Sequence, residues 1–161
     1  MTAGTFCSGT LHAALPAVTD RTRPPEAPSE RAPARIVVAE DDLEMRRLVA
    51  DCLRRAGYDV AEVGNGGALL KRLEASMFLG QEANAVDLIV TDARMPLCSG
   101  LEVVSALRDA GIHVPVIVMT AFGSLETQKS VQALGAAMLE KPFRLEQLLY
   151  VVAQLLGTNS S

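Results

Sequence analysis

The sequence predicts an α/β fold in which a doubly wound five-stranded parallel sheet carries helices on both faces. Three observations support this. Short β-branched apolar runs occur in which no polar residue interrupts the core, as in Leu88-Ile89-Val90, the pattern of a strand buried on both sides. Between them lie stretches whose apolar residues recur every three or four positions, the spacing of a helix with one buried face. Glycines at 57, 111 and 135 close several of those stretches, where a left-handed residue ends a helix cheaply.

In order, Ile36–Ala39 reads as the first strand and ends in Glu40-Asp41-Asp42. Met45, Leu48, Val49, Cys52, Leu53 and Ala56 give the first helix its apolar face, and Tyr58–Val63 forms the second strand. Gly64-Asn65-Gly66-Gly67 reads as a turn, followed by a helix bearing Ala68, Leu69, Leu70, Leu73 and Met77. Phe78–Ala85 either extends that helix or makes a long loop, because Gly80 and Asn84 both weaken a continuous helix. The third strand starts at Val86 and runs to Thr91, with Asp92 just past its end, Pro96–Gly100 is a loop, and Leu101, Val104 and Leu107 mark the third helix. Val114–Met119 is the fourth strand, with Pro115 near its start, where a ladder donor is least needed. Ser124–Leu134, Ala136–Glu140 and Arg144–Leu156 complete the set as helix, strand and helix. Strand-helix alternation requires right-handed crossovers. The usual solution at this size is the flavodoxin-like strand order 2-1-3-4-5.

The 161 residues fit one domain with a tail. Residues 1–34 read as a disordered, proline-rich N-terminal tail holding five of the eight prolines, residues 35–156 as the folded domain, and 157–161 as a short polar ending. With 49% hydrophobic residues, 4% aromatic and no Trp, the core must be built from aliphatic side chains and Met. A net charge of −4 without a dense basic block argues against nucleic-acid binding. Cys7, Cys52 and Cys98 are too scattered for a disulfide framework or a zinc site. No apolar run approaches the roughly 18 residues that span a bilayer, and the N-terminus has no leader pattern. The expectation is a cytoplasmic protein without membrane contact.

Function is read from the strand ends. In a parallel sheet these share one edge, where ligands of open α/β folds bind. The first strand delivers Glu40 and Asp41, the third Asp92, the fourth Thr120 and the fifth Lys141. Any one of these is ordinary, since acids after a strand often merely cap the next helix. Together they suit phosphoryl transfer to a carboxylate. Clustered carboxylates favour a hard cation, and Mg2+ fits, with Glu40, Asp41, Asp92, the backbone carbonyl of Arg94 and waters as ligands. Asp92 is the nucleophile, Lys141 neutralises a phosphoryl oxygen and Thr120 donates a hydroxyl to another. No His, Ser or Cys stands beside a suitable base; His12 falls in the tail and His113 at the opposite edge of the sheet.

From Arg35 to Leu156 the chain resembles the receiver domain of bacterial two-component response regulators. The motifs are Val37-Val38-Ala39-Glu40-Asp41-Asp42, Thr91-Asp92-Ala93-Arg94-Met95-Pro96 with Gly100, Val118-Met119-Thr120-Ala121, and Glu140-Lys141-Pro142-Phe143. Their wording is most similar to receivers of nitrogen-regulation-type transcriptional activators. The resemblance implies that Asp92 takes phosphate from a sensor histidine kinase or phosphotransfer protein, with slow autodephosphorylation rather than dedicated enzyme activity. It also implies a cis Lys141-Pro142 peptide, and a switch in which Thr120 moves inward and the face of the fourth helix, fifth strand and fifth helix changes.

Two features depart from the family pattern. Glu40 stands where Asp is commoner, and Met138 stands where an aromatic switch residue is usual, in a Gly135–Met138 approach one residue short. Met138 keeps open a second class of function, a phosphate-independent interaction or dimerisation module of receiver fold. A hydrolase with an aspartyl intermediate, the third class, lacks a further acid or base beside Asp92. Output would pass to a downstream protein partner, a second copy of the chain, or a fused domain.

Overall fold

The computed structural model describes residues 32–78 and 85–157. The reading of residues 1–31 as tail, and most of the Phe78–Ala85 question, lie outside the described residues, as do 158–161. Five strands, β1 (Arg35–Ala39), β2 (Asp59–Val63), β3 (Leu88–Asp92), β4 (Val116–Thr120) and β5 (Ala137–Glu140), pair in parallel in the order β2-β1-β3-β4-β5. The helices are α1 (Leu43–Arg55), α2 (Gly66–Phe78), α3 (Gly100–Asp109), α4 (Leu125–Ala133) and α5 (Leu145–Gly157).

Strand alternation splits the apolar residues into two cores. Ile36, Val38, Leu88, Val90, Ile117 and Met119 pack with Val49 and Leu53 of α1 and Leu148 and Val152 of α5. Val37, Ile89, Val116 and Val118 point the other way and pack with Leu69 and Leu73 of α2, Val103, Val104 and Leu107 of α3, and Val131 of α4. The three central strands are therefore apolar on both faces, which explains their uninterrupted sequence runs. Among the described residues no helix is long and apolar enough to cross a membrane.

Several boundaries differ from the sequence reading, each for a local reason. Gly66 and Gly67 belong to α2 rather than to a turn, because the Asn65 side chain accepts from the Ala68 amide at 2.7 Å and starts the helix there. Gly66 lies so close to the β3–α3 loop that an added Cβ would sit 2.0 Å from the Cys98 carbonyl oxygen. Leu48 is 51% exposed instead of joining the core face of α1. β3 begins at Leu88 rather than Val86, Pro115 precedes β4, and Gly157 ends α5 instead of opening a tail.

α3 starts with a complete capping box. Ser99 Oγ accepts from the Glu102 amide at 3.1 Å, and Glu102 Oε2 accepts from the Ser99 amide at 2.7 Å. The Ser99 amide, and after it the Ser99 hydroxyl, hold the Glu102 carboxyl below its ordinary value. Ser99→Ala is expected to lower stability by about 1 kcal/mol in urea denaturation. Because the depressed carboxyl stabilises the fold above its unfolded pKa, that contribution fades in wild type as the pH falls through the lower folded value.

Candidate active site

The parallel register brings the carboxyl ends of β1, β3, β4 and β5 to one edge. Asp92 and Thr120 are the last residues of their strands rather than the first beyond them, while Glu40 and Lys141 follow theirs directly. Main-chain bonds lock these ends together: the Glu40 amide donates to Val63 O at 3.2 Å, Ala93 to Met119 O at 2.8 Å, and Lys141 to Thr120 O at 2.8 Å.

Glu40, Asp41 and Asp92 each place one carboxylate oxygen within 4.8 Å of the others. Glu40 is almost wholly buried, Asp92 half-buried and Asp41 exposed, so the cluster opens to solvent on one side. Lys141 Nζ lies 2.7 Å from Glu40 Oε2 and 3.6 Å from Asp92 Oδ1, bridging two of the three acids. The other Glu40 oxygen accepts from the Asp42 amide at 3.2 Å. Both of its oxygens are thus engaged, and the longer Glu side chain serves as the fixed floor of the site.

The electrostatics follow from this packing. Burial pushes the Glu40 carboxyl above its ordinary value; the Lys141 and Asp42 hydrogen bonds pull it back part of the way, and the Asp92 charge adds to the rise. Burial alone would depress the Lys141 ammonium, but the hydrogen bond and charge of Glu40, with Asp92, outweigh it and hold Lys141 above its ordinary value. Lys141 therefore stays charged at neutral pH. Three converging oxygen donors with high negative charge form a set that suits Mg2+. Arg94 lies two residues past Asp92, in the loop that follows β3, and its guanidinium carbon sits 5.8 Å from the Phe122 ring centre.

Thr120 is near the acids but engaged elsewhere. Its hydroxyl donates to Phe122 O and accepts from the Phe122 amide, both at 3.2 Å, closing a small turn at the start of the β4–α4 loop. Met138 is half-buried, pairs in register with Val118 and packs against the α2–α3–α4 core, so it does not join the acidic cluster. The Lys141–Pro142 peptide is cis. Burial raises the thiols of Cys52 and Cys98 above their ordinary values, which leaves both poor nucleophiles. Arg46 escaped the sequence reading; it donates to the Glu40 carbonyl at 2.8 Å. A lone Arg on a helix reads as a surface charge, and only its place one turn after the acids hinted otherwise.

The response regulator receiver domain family matches residues 36–153. The chain is 30% identical over 123 residues to the response regulator receiver protein CpdR of Brucella abortus, covering 76% of this chain and 96% of that protein. It is 34% identical over 128 residues to the DNA-binding transcriptional regulator NtrC of Azospirillum brasilense, covering 79% of this chain but only 25% of that one. The solved structure of Vibrio cholerae chemotaxis protein CheY4 superposes with a TM-score of 0.65 at 30% identity, covering 77% of this chain and 99% of that chain.

Proposed function

The chain belongs to the response regulator receiver domain family, and from that premise we propose that it is a phosphorylation-controlled signalling module with Asp92 as its phosphoacceptor. The observation that carries the proposal is the bridging of Glu40 and Asp92 by Lys141, at 2.7 and 3.6 Å, beside Asp41. Asp92 is the half-buried acid of the cluster, open in part to solvent and also held by an ammonium able to change partner.

In the proposed step, an Asp92 carboxylate oxygen attacks the phosphorus of a phosphohistidine on a sensor kinase or phosphotransfer protein. A P–O bond forms as the P–N bond breaks. The electron pair departs with the imidazole nitrogen, which takes up a proton. Mg2+ held by Asp41 and Asp92, with Glu40 and the Arg94 carbonyl at the same edge, would neutralise charge on the incoming group and polarise a phosphoryl oxygen. Lys141 exchanges its Asp92 contact for a phosphoryl oxygen while keeping Glu40. Thr120 gives up its bond to Phe122 O and donates to another phosphoryl oxygen. That exchange draws the β4–α4 loop inward and shifts the α4–β5–α5 face, a population shift driven by new charge. Hydrolysis of the acyl phosphate resets the module slowly, so reversible self-phosphorylation, not turnover of a free substrate, is its chemistry.

Incubation with Mg2+ and acetyl phosphate, followed by intact mass measurement, should show one added phosphoryl group, lost in Asp92→Asn. A folded protein that gains no such mass would defeat the proposal. The packing of Met138 into the α2–α3–α4 core favours a second reading, in which the same face binds a partner or another copy without phosphate. Unchanged association on adding beryllium fluoride would support that reading.

A further inference from the structure

Arg46 on α1 is held between the β1–α1 loop and strand β2, and we infer that it is a positioning residue for Asp41 in metal binding. This rests on the proposed Mg2+ site. Arg46 Nη1 donates to the Glu40 carbonyl at 2.8 Å, while its Nε lies 3.6 Å from Glu62 Oε2 on β2. Glu62 is itself fixed, because its other oxygen accepts from Arg54 Nη1 at 2.8 Å and Arg54 Nη2 donates to Val60 O at 3.1 Å. The guanidinium is therefore anchored at one side and presents its free edge to the acidic loop, a task that needs a rigid planar fork.

The contact fixes the residue before Asp41. The Glu40 amide is bound by Val63 O, its carboxylate by Lys141 and the Asp42 amide, and its carbonyl by Arg46. The residue after Asp41 is fixed as well, since Asp42 Oδ1 accepts from the Met45 amide at 2.8 Å and caps α1. Asp41 thus enters the cluster from a backbone held on both sides. Only its side-chain torsions remain to be set when an ion binds.

Gly64 gives this arrangement its own signature. A Cβ at Gly64 would lie 2.9 Å from Arg46 Nη1, with the next neighbour, Arg46 Cζ, at 3.8 Å. Alanine there meets only the far end of a flexible side chain. It can be accommodated in the fold, but it pushes the guanidinium off the Glu40 carbonyl.

Titration calorimetry of Mg2+ into the full chain, paired with thermal melts in EDTA, tests the inference. Arg46→Met keeps the aliphatic stem and is expected to weaken Mg2+ binding about tenfold, in the range seen for partners that orient metal ligands. Gly64→Ala should weaken it in the same direction by a smaller factor with little change in Tm, and the double variant should be no weaker than Arg46→Met alone. Arg46→Lys should recover part of the affinity. If wild type binds Mg2+ and the variants bind it equally well, the positioning role is wrong while the site stands. Affinity losses that add in the double variant would also overturn it. Wild type that binds no Mg2+ would remove both the site and this role.

Discussion

Gly100→Ala is expected to destabilise the protein by about 3 kcal/mol and to abolish phosphoryl acceptance at Asp92. A Cβ at Gly100 would lie 2.1 Å from the Asp92 carbonyl oxygen, 3.1 Å from its carbonyl carbon and 2.8 Å from Thr91 Oγ1. None of these atoms can step aside. The Asp92 carbonyl belongs to the end of a central strand, and the Thr91 hydroxyl donates to that same oxygen at 3.1 Å. The Gly100 amide in turn donates to Ala93 O at 3.2 Å, so α3 is tied to the strand end it would have to leave. Relief requires α3 or the end of β3 that carries Asp92 to shift. Urea denaturation and phosphorylation-dependent mass together check this. Gly57→Ala provides the contrast, since Gly57 has φ +98° and nothing within 4 Å of an added Cβ. Its cost is backbone strain alone, about 1 kcal/mol. Equal costs at the two positions would refute the steric account of Gly100.

The same glycine shows how far the sequence could be read. Apolar runs and helical spacing are local patterns, and they identify all five strands and five helices because each element buries a face dictated by its own residues. The convergence of Glu40, Asp41, Asp92 and Lys141 was legible for a related reason: parallel strands put their ends on one edge whatever the loops do. What failed depended on approach between distant segments. Gly66 read as turn punctuation, yet it opens a helix pressed against the Cys98 carbonyl. Leu48 has the spacing of a core residue, but it lies 51% exposed on the side of α1 where Asp51, Cys52 and Arg55 meet Leu145 and Leu149 of α5. Periodicity assigns a face about 100° wide and does not mark its rim. The place of Thr120 at the carboxyl end of the fourth strand was legible, whereas the engagement of its hydroxyl with Phe122 depends on loop conformation that no spacing encodes. Arg46 left little more than a positional hint for a further reason. Its partner is a backbone carbonyl, and every residue offers one.

Lys141→Met is expected to lose the phosphoryl response while retaining more of its metal affinity, and to destabilise the fold by about 2 kcal/mol at neutral pH. Removing the ammonium leaves Glu40, 1% exposed, as a carboxylate without its charged partner at 2.7 Å. The loss falls below that of a fully buried broken pair because the Lys141 side chain is 21% exposed and water can reach the gap. The pH dependence gives the prediction its sign. Burial already raises Glu40, and the Lys141 hydrogen bond opposes that rise. Without Lys141 the folded-state carboxyl therefore climbs further above its unfolded value. A folded state that holds a proton the unfolded state has released loses stability as the pH rises between those two values. The gap between wild type and variant should accordingly be small near pH 5 and larger at pH 7.5, measured in EDTA so that no cation substitutes for the ammonium. Lys141 itself, raised in the folded state, stabilises wild type below its unfolded pKa and gives up that contribution only as the pH passes its folded value, well above this window. A gap that is constant with pH would mean that Lys141 stabilises by packing rather than by pairing Glu40. Equal loss of Mg2+ affinity and phosphoryl response would mean that it holds the acids in place instead of following the phosphoryl group.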